Sequence, residues 1–178
     1  MTMSERIVLY SLVIGLRPLR CLETGTFKGG SALIIVAALD DAGDGILVCV
    51  DPNAKVKPEH WKEIAHRAIL FQASSPEILP EASRAVGGKF DFTLIDGDHT
   101  TEGVVRDIAG VLPHLESPAY LLLHDAHNQE VSEGIRTALG DAGNCLTDCG
   151  LISTEKTADA STGADWGGLR LLRFSVKE

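Results

Sequence analysis

Five apolar runs alternate with stretches of helical spacing along this chain, and that alternation restricts its fold more than any other feature. The runs are RCLET, GILVCVD, LFQASS, FDFTLID and AYLLLHD. The intervening and following stretches are GGSALIIVAALDDAG, PEHWKEIAHRAI, SPEILPEASRAV, TTEGVVRDIAGVLPHL and EVSEGIRTALGDAG. Unbroken apolar strands are buried on both faces, and a helix between two of them supplies the long crossover that parallel pairing requires. An α/β fold with a mainly parallel sheet covered on both sides is therefore expected. The ending breaks the rhythm: CLTDCGLIST and WGGLRLLRF read as two strands joined by EKTADASTGAD with no helix between them, so the last strand should run antiparallel to its neighbour. Seven strands result. Before the first of them, SERIVLYSLVIGL spaces Ile7, Val8, Leu12 and Leu16 along one side of a helix ended by Gly15 to Pro18, so residues 1–19 are expected to pack as a helix on the domain.

With 178 residues, 44% of them hydrophobic, the chain is long enough for one domain with a substantial core, expected to span 1–178. A formal charge of −9 argues against nucleic acid or an anionic membrane as partner, since the long-range field repels both. A small molecule or a protein fits better. A homodimer is carried only as an expectation. No run approaches the roughly 20 apolar residues that span a bilayer. Cys21, Cys49, Cys145 and Cys149 form no CxxC pair, and the start shows no basic flank before an apolar core. A cytoplasmic protein with reduced thiols is expected, its cysteines acting as small buried hydrophobes.

LETGTFKGGS falls where an open parallel sheet receives its ligand, between the first strand and the following helix. Gly25 permits the tight turn, and Gly29 and Gly30 allow close approach to the backbone. A dinucleotide fingerprint would place a second glycine where Phe27 stands, which disfavours NAD and an oxidoreductase. S-adenosylmethionine has no pyrophosphate, and its cationic amino group suits the Glu23 carboxylate. The expected cofactor set is Glu23, Thr24, Gly25, Thr26, Gly30, Ser31, Asp51, Pro52, Ser74 and Asp96. Asp51, closing the second strand, is positioned to accept from both ribose hydroxyls. Gln72 to Ser75 could meet the adenine edge, whereas Lys28 reads as solvated.

Taken in order, ETGTFKGGSA, VDPN, FDFTLIDGDHTTEGVVRDI and LLLHDAHN resemble the class I S-adenosylmethionine-dependent methyltransferases, and among them the group containing the macrocin O-methyltransferases, over roughly residues 20 to 140. The resemblance implies a Rossmann-like doubly wound sheet with the seventh strand antiparallel, and methyl transfer to a small hydroxylated acceptor such as a sugar or secondary metabolite.

Asp96 ends the fourth strand and Asp125 the fifth, so if those strands are neighbours the two carboxylates converge on the ligand face and could share a divalent cation. His124 adjoins Asp125. His99 lies three residues beyond Asp96 and is the candidate base, with Asp96 beside it in the catalytic set. The similar metal-dependent enzymes carry an acid matching Asp96, two adjacent acids on the fifth strand, and a histidine matching His99. Here the fifth strand ends in His124-Asp125. Imidazole is a poor ligand for Mg²⁺ and a good one for Mn²⁺, Fe²⁺ or Zn²⁺. A softer metal, a weakened magnesium site on Asp96 and Asp125, and no metal all stay open, as does a non-catalytic binding protein with a degenerate site. Asp98 reads as a turn or capping acid in rivalry with Thr100 or Thr101, and His127 as a solvated loop residue. His60, His66 and His114 fall on helices without a constellation. The segment EKTADASTGADWGG is expected to act as a mobile lid bearing Trp166.

Overall fold

The first strand, β1 (Arg20–Thr24), is flanked on one side by β2 (Ile46–Val50) and β3 (Ala68–Phe71) and on the other by β4 (Phe90–Ile95) and β5 (Leu115–Leu123), all parallel. This computed structural model describes residues 1–176. Beyond β5 lie β6 (Leu146–Ser153), the two-residue strands β7 (Thr157–Ala158) and β8 (Asp165–Trp166), and β9 (Leu169–Phe174). The seven-stranded order is β3-β2-β1-β4-β5-β9-β6, with β9 antiparallel to both β5 and β6. The Rossmann-like sheet with a reversed last strand is therefore present, and the direction of travel across it switches between β1 and β4. A crevice opens outside the strand ends at such a switch.

Successive strand residues face opposite layers, and each layer has its own core. Leu22, Val48, Leu121 and Leu172 pack against α4 (Leu79–Ala85), α5 (Thr101–Val111) and α6 (Gln129–Asp141). Cys21, Leu47, Phe92 and Leu122 pack against α1 (Met3–Leu16), α2 (Gly30–Ala42) and α3 (Pro58–Ile64). Among the described residues no helix is long and apolar enough to cross a membrane.

Several expectations need correction. In α1 the deeply buried positions are Glu5, Leu9 and Val13, while Val8, Leu12 and Leu16 sit at the core margin and Ile7 is 59% exposed. A helix apolar nearly all round gives periodicity nothing with which to choose a face. The third strand ends at Phe71, because its partner β2 ends at Val50, and α4 starts only at Leu79. The polar link after β6 carries the β7–β8 hairpin, whose two-residue strands leave no apolar pattern to read. Cys21 and Cys49 are buried as expected, but Cys145 is half-buried and Cys149 exposed.

Gly25 holds the switch point together. At φ +88° it brings β1 so close to the β4 loop that an added Cβ would lie 2.0 Å from the Asp96 carbonyl oxygen. Both the conformation and the contact exclude a side chain. Gly25→Ala should therefore lower the unfolding free energy by about 3 kcal/mol or more, read from the midpoint of urea denaturation; a midpoint matching the parent protein would refute this packing.

Candidate active site

The crevice at the switch point is a cavity of about 560 Å³ bordered by Thr24, Asp51, Ser74, Asp96, His99 and Asp107. A second recess of about 220 Å³ shares Gly25, Phe27 and Asp96 with it and reaches Thr26, Gly30 and Ser31. The glycine turn is tied to the strands on both sides: Gly25 N–H donates to Val50 O at 2.9 Å, and Asp96 N–H to Thr24 O at 2.9 Å. Around Gly30 an added Cβ would meet nothing within 4 Å, leaving room for a ligand.

Asp51 organises the turn from the next strand. Its Oδ2 accepts the Phe27 N–H at 2.6 Å and its Oδ1 the Asn53 N–H at 2.7 Å. Each carboxylate oxygen retains a free lone pair. Pro52, next along, borders the same cavity, as does Ser75 beside Ser74. Phe27 is half exposed, with the Lys28 and Lys55 ammonium groups 5.1 and 5.7 Å from its ring centre. Lys28 is thus engaged with an aromatic face as well as with solvent.

Glu23 lies one layer beneath the cavity wall. It is fully buried, accepts a hydrogen bond from the Ser31 hydroxyl, and borders neither recess. Burial pushes its carboxyl up to about 7, against the Ser31 hydroxyl. Glu23 Oε2, Thr24 Oγ1 and Thr26 Oγ1 are buried without hydrogen-bond partners. Such groups are costly unless a ligand or water completes them.

At the other end of the cavity, Ile95 pairs with Leu123, so Asp96 and His124 leave the sheet side by side. His124 Nδ1 lies 3.0 Å from Asp96 Oδ1 and 3.2 Å from Asp125 Oδ2. His99 Nε2 faces the same two oxygens at 3.5 and 3.0 Å. Two carboxylates and two imidazoles therefore alternate around one point. Asp125 takes the left-handed conformation, φ 54°, rare outside glycine and concentrated at functional sites. It is held there by Gly167 N–H donating to its Oδ1 at 2.7 Å and by Asn128 N–H donating to its carbonyl at 2.8 Å.

The charges follow from these contacts. Burial works against the His124 cation, but Asp125 and Asp96 outweigh it and raise the imidazole to about 10. Asp125 and Asp96 raise His99 to about 9 against burial. Burial alone would lift both carboxyls, yet the two histidines hold Asp96 and Asp125 below the ordinary carboxylate range. Ligand atoms of Asp96, His124 and Asp125 all lie within 4.8 Å of one another, a spacing that fits one divalent cation with mixed nitrogen and oxygen donors.

Other expectations sort out locally. Thr100 caps α5, accepting from Gly103 N–H, while Asp98 accepts the Thr100 N–H at 3.0 Å as a turn acid and borders the cavity. His127 is half-buried against Gly168, with its Nε2 buried and unpartnered, so it is no freely solvated residue. Trp166 packs edge-on to His99, ring centres 5.4 Å apart, and Glu155 accepts from the hydroxyls of Thr2 and Ser4. The lid segment is therefore fastened to α1 and to the cluster. Sequence reading missed Glu5, the Gly167–Gly168 pair, Arg106 and Asp107. WGG was the signal available for the glycines, and the spacing Thr2-Met3-Ser4-Glu5 before an apolar run marked Glu5 only as a helix-capping acid; Arg106 and Asp107 carried none.

A doubly wound sheet with a crevice at its switch point, a glycine turn with Phe27 where a dinucleotide fingerprint has glycine, and an acid–imidazole cluster define the class. Residues 22–126 match a family described as a methyltransferase domain, and the chain belongs to that family. No protein of curated function matches it. Among solved structures, the O-methyltransferase TomG of Streptomyces achromogenes, involved in tomaymycin synthesis and solved with S-adenosylmethionine, is 20% identical, with 99% of this chain and 82% of that one covered at a TM-score of 0.75. The O-methyltransferase of Bacillus cereus, solved with S-adenosylhomocysteine, is 16% identical with coverage of 98% and 82% and a TM-score of 0.69. NodS of Bradyrhizobium japonicum, an N-methyltransferase, is 14% identical with coverage of 97% and 96% and a TM-score of 0.64. At such identities the likeness concerns the fold.

Asp107 gives the site a pH signature. Burial pushes its carboxyl up to about 6, opposed by Ser75 and Arg106. The unfolded carboxyl ionises near pH ~3.9, so it loses its proton first and stability falls as pH rises from ~4 to ~6, the cost levelling above that at on the order of 2 kcal/mol. Asp107→Asn should melt several degrees above the parent protein at pH 7.5 and lose that advantage near pH 4. Equal melting differences at both pH values would contradict the assignment.

Proposed function

We propose that this methyltransferase moves the methyl group of S-adenosylmethionine to the hydroxyl of a small acceptor, a sugar or secondary metabolite. The reading is carried by one observation: Asp96 and His99, the cavity-lining members of the cluster with His124 and Asp125, border the same cavity as Asp51. In this reading Asp51 and Pro52 take the ribose, Ser74 the adenine edge, and the turn from Thr24 through Gly25, Thr26 and Gly30 to Ser31 the amino acid portion. Glu23 would act from beneath, through the unpartnered oxygens of the turn. Asp96 lies where the two recesses meet, beside the sulfonium.

Asp96, His124 and Asp125 fit a divalent cation, and the imidazole favours Mn²⁺ or Zn²⁺ over Mg²⁺. Such an ion would lower the pKa of the acceptor hydroxyl and fix its direction. His99 keeps its proton through Asp125 and Asp96; with those carboxylates engaged by a cation it would release that proton to solvent, and the neutral imidazole could then take the hydroxyl proton. The oxygen then attacks the methyl carbon, the carbon–sulfur bond breaks, and its electron pair stays on sulfur. Trp166, packed on His99, supplies an apolar wall for the acceptor. The proposal includes a single domain acting in the cytoplasm, alone or as a homodimer, on neither nucleic acid nor membrane.

A second reading draws on the same contacts. Asp96 and Asp125 already balance their charges against His124 and His99, so a protein that binds S-adenosylmethionine with a degenerate metal site and no turnover is the alternative. Calorimetry with S-adenosylmethionine, repeated with Mg²⁺ and Mn²⁺, separates the two. The methyltransferase reading expects binding that tightens with Mn²⁺ and loses that response in Asp96→Ala; no binding at all would end it. Asp51→Ala should weaken cofactor binding at least ~10-fold, through lost charge-assisted hydrogen bonds. His99→Ala should bind cofactor normally while turnover drops by about 10²–10⁴. The opposite pattern would overturn these roles.

A further inference from the structure

The geometry points to Glu5, on the N-terminal helix, as the positioning residue that fixes the ring orientation and tautomer of His124, so that Nδ1 is the atom presented to a divalent cation between Asp96 and Asp125. This role rests on the metal-site part of the reading above and adds a residue from the far end of the chain.

Glu5 closes the capping box of α1 through the Thr2 N–H, yet it is also fully buried on the inward face of the helix, with capacity beyond that one donor. Three donors converge on it. Oε2 accepts the Thr2 N–H at 2.7 Å and faces His124 Nε2 at 3.4 Å, while Oε1 accepts the Gly168 N–H at 2.7 Å. An ionised carboxylate only accepts, so the hydrogen between it and His124 belongs on Nε2. On its own, His124 carries hydrogens on both nitrogens; a cation binding beside Asp96 and Asp125 would displace the one on Nδ1, leaving the ring neutral with its remaining hydrogen on Nε2. Nδ1 is the nitrogen aimed at Asp96 Oδ1 and Asp125 Oδ2, 3.0 and 3.2 Å away. A carboxylate behind a histidine in this way sets the tautomer and orientation of a metal ligand.

The same carboxylate also positions Asp125. Gly167 and Gly168 adopt φ +83° and +82°, which lets the consecutive N–H groups reach Asp125 Oδ1 and Glu5 Oε1. An added Cβ at Gly168 would lie 2.6 Å from the His127 ring. Glutamine at position 5 would set an amide N–H against at least one of three donors. Aspartate would stop one carbon short.

The test starts with the parent protein labelled with ¹⁵N-histidine and loaded with Zn²⁺, whose long-range ¹H–¹⁵N spectrum is assigned with a His124→Gln variant. The expected result is a proton on His124 Nε2 and a metal-shifted Nδ1; the reverse, or Glu5 itself acting as ligand, overturns the proposal without need of a Glu5 variant that folds. Mn²⁺ is then titrated into Glu5→Gln and Thr2→Ala by water-proton relaxation, with S-adenosylmethionine calorimetry alongside. Thr2→Ala removes the cap hydroxyl and its Glu155 contact but keeps the backbone donor to Glu5. Glu5→Gln should bind Mn²⁺ some 10–100-fold more weakly with cofactor affinity unchanged, and Thr2→Ala should melt earlier yet bind Mn²⁺ normally. Parent-like Mn²⁺ affinity in Glu5→Gln, or equal weakening in both variants, refutes the role. A parent protein that binds cofactor but neither metal refutes both this role and the metal site, whereas one that binds no cofactor fails the whole functional reading.

Discussion

Asp96, Asp125 and Glu5 bring three carboxylates to the rim of the core, where like charges repel and burial penalises each of them. His124 stands among all three, and His99 between two. The imidazoles make the convergence tolerable, and the arrangement in turn recruits distant pieces of chain. α1 docks with Glu5 inward, the diglycine before β9 turns two N–H groups toward the cluster, and Asp125 is held in a conformation that few non-glycine residues adopt. Removing any one acid would leave a buried cation short of its partner, a larger loss than the pair gains over an apolar substitute.

The glycine-turn end follows a different logic. There the backbone does the holding, through Gly25, the Asp51 carboxylate on the Phe27 and Asn53 N–H groups, and the pairing of β1 with both neighbours. Buried polar atoms of Glu23, Thr24 and Thr26 are left there without partners. One half of the crevice is therefore shaped before a ligand arrives and completed by it, whereas the other half is already neutralised by its own side chains.

Much of this could be read along the chain because the informative contacts are local or follow from strand order. Apolar runs closed by Asp51, Asp96 and Asp125 put those acids at the carboxyl ends of parallel strands, and adjacency of β4 and β5 then brought Asp96 to His124. His99 followed from the short loop after β4. What could not be read depends on long separations: Glu5 meets Gly168 across 163 residues. The periodicity of α1 favoured the wrong face for the same reason, since the residue that decides the face is a charge whose partners lie elsewhere. Asp107 looks like any polar position on an amphipathic helix until the cavity beside it is seen.

The reversed strand has a consequence for how the molecule comes into being. β9 lies between β5 and β6, so the sheet cannot close during synthesis until Leu169–Phe174 have left the ribosome. The strands that shape the glycine-turn end of the crevice are made first, and chains begin to organise from their N-terminal parts as they emerge. Asp125 gains its Gly167 donor, and Glu5 its Gly168 donor, only after that late segment is made. A nascent chain can therefore shape the glycine-turn end of the crevice well before the acid–imidazole cluster is whole, and the arrival of the strand that sits between β5 and β6 is the step that completes it.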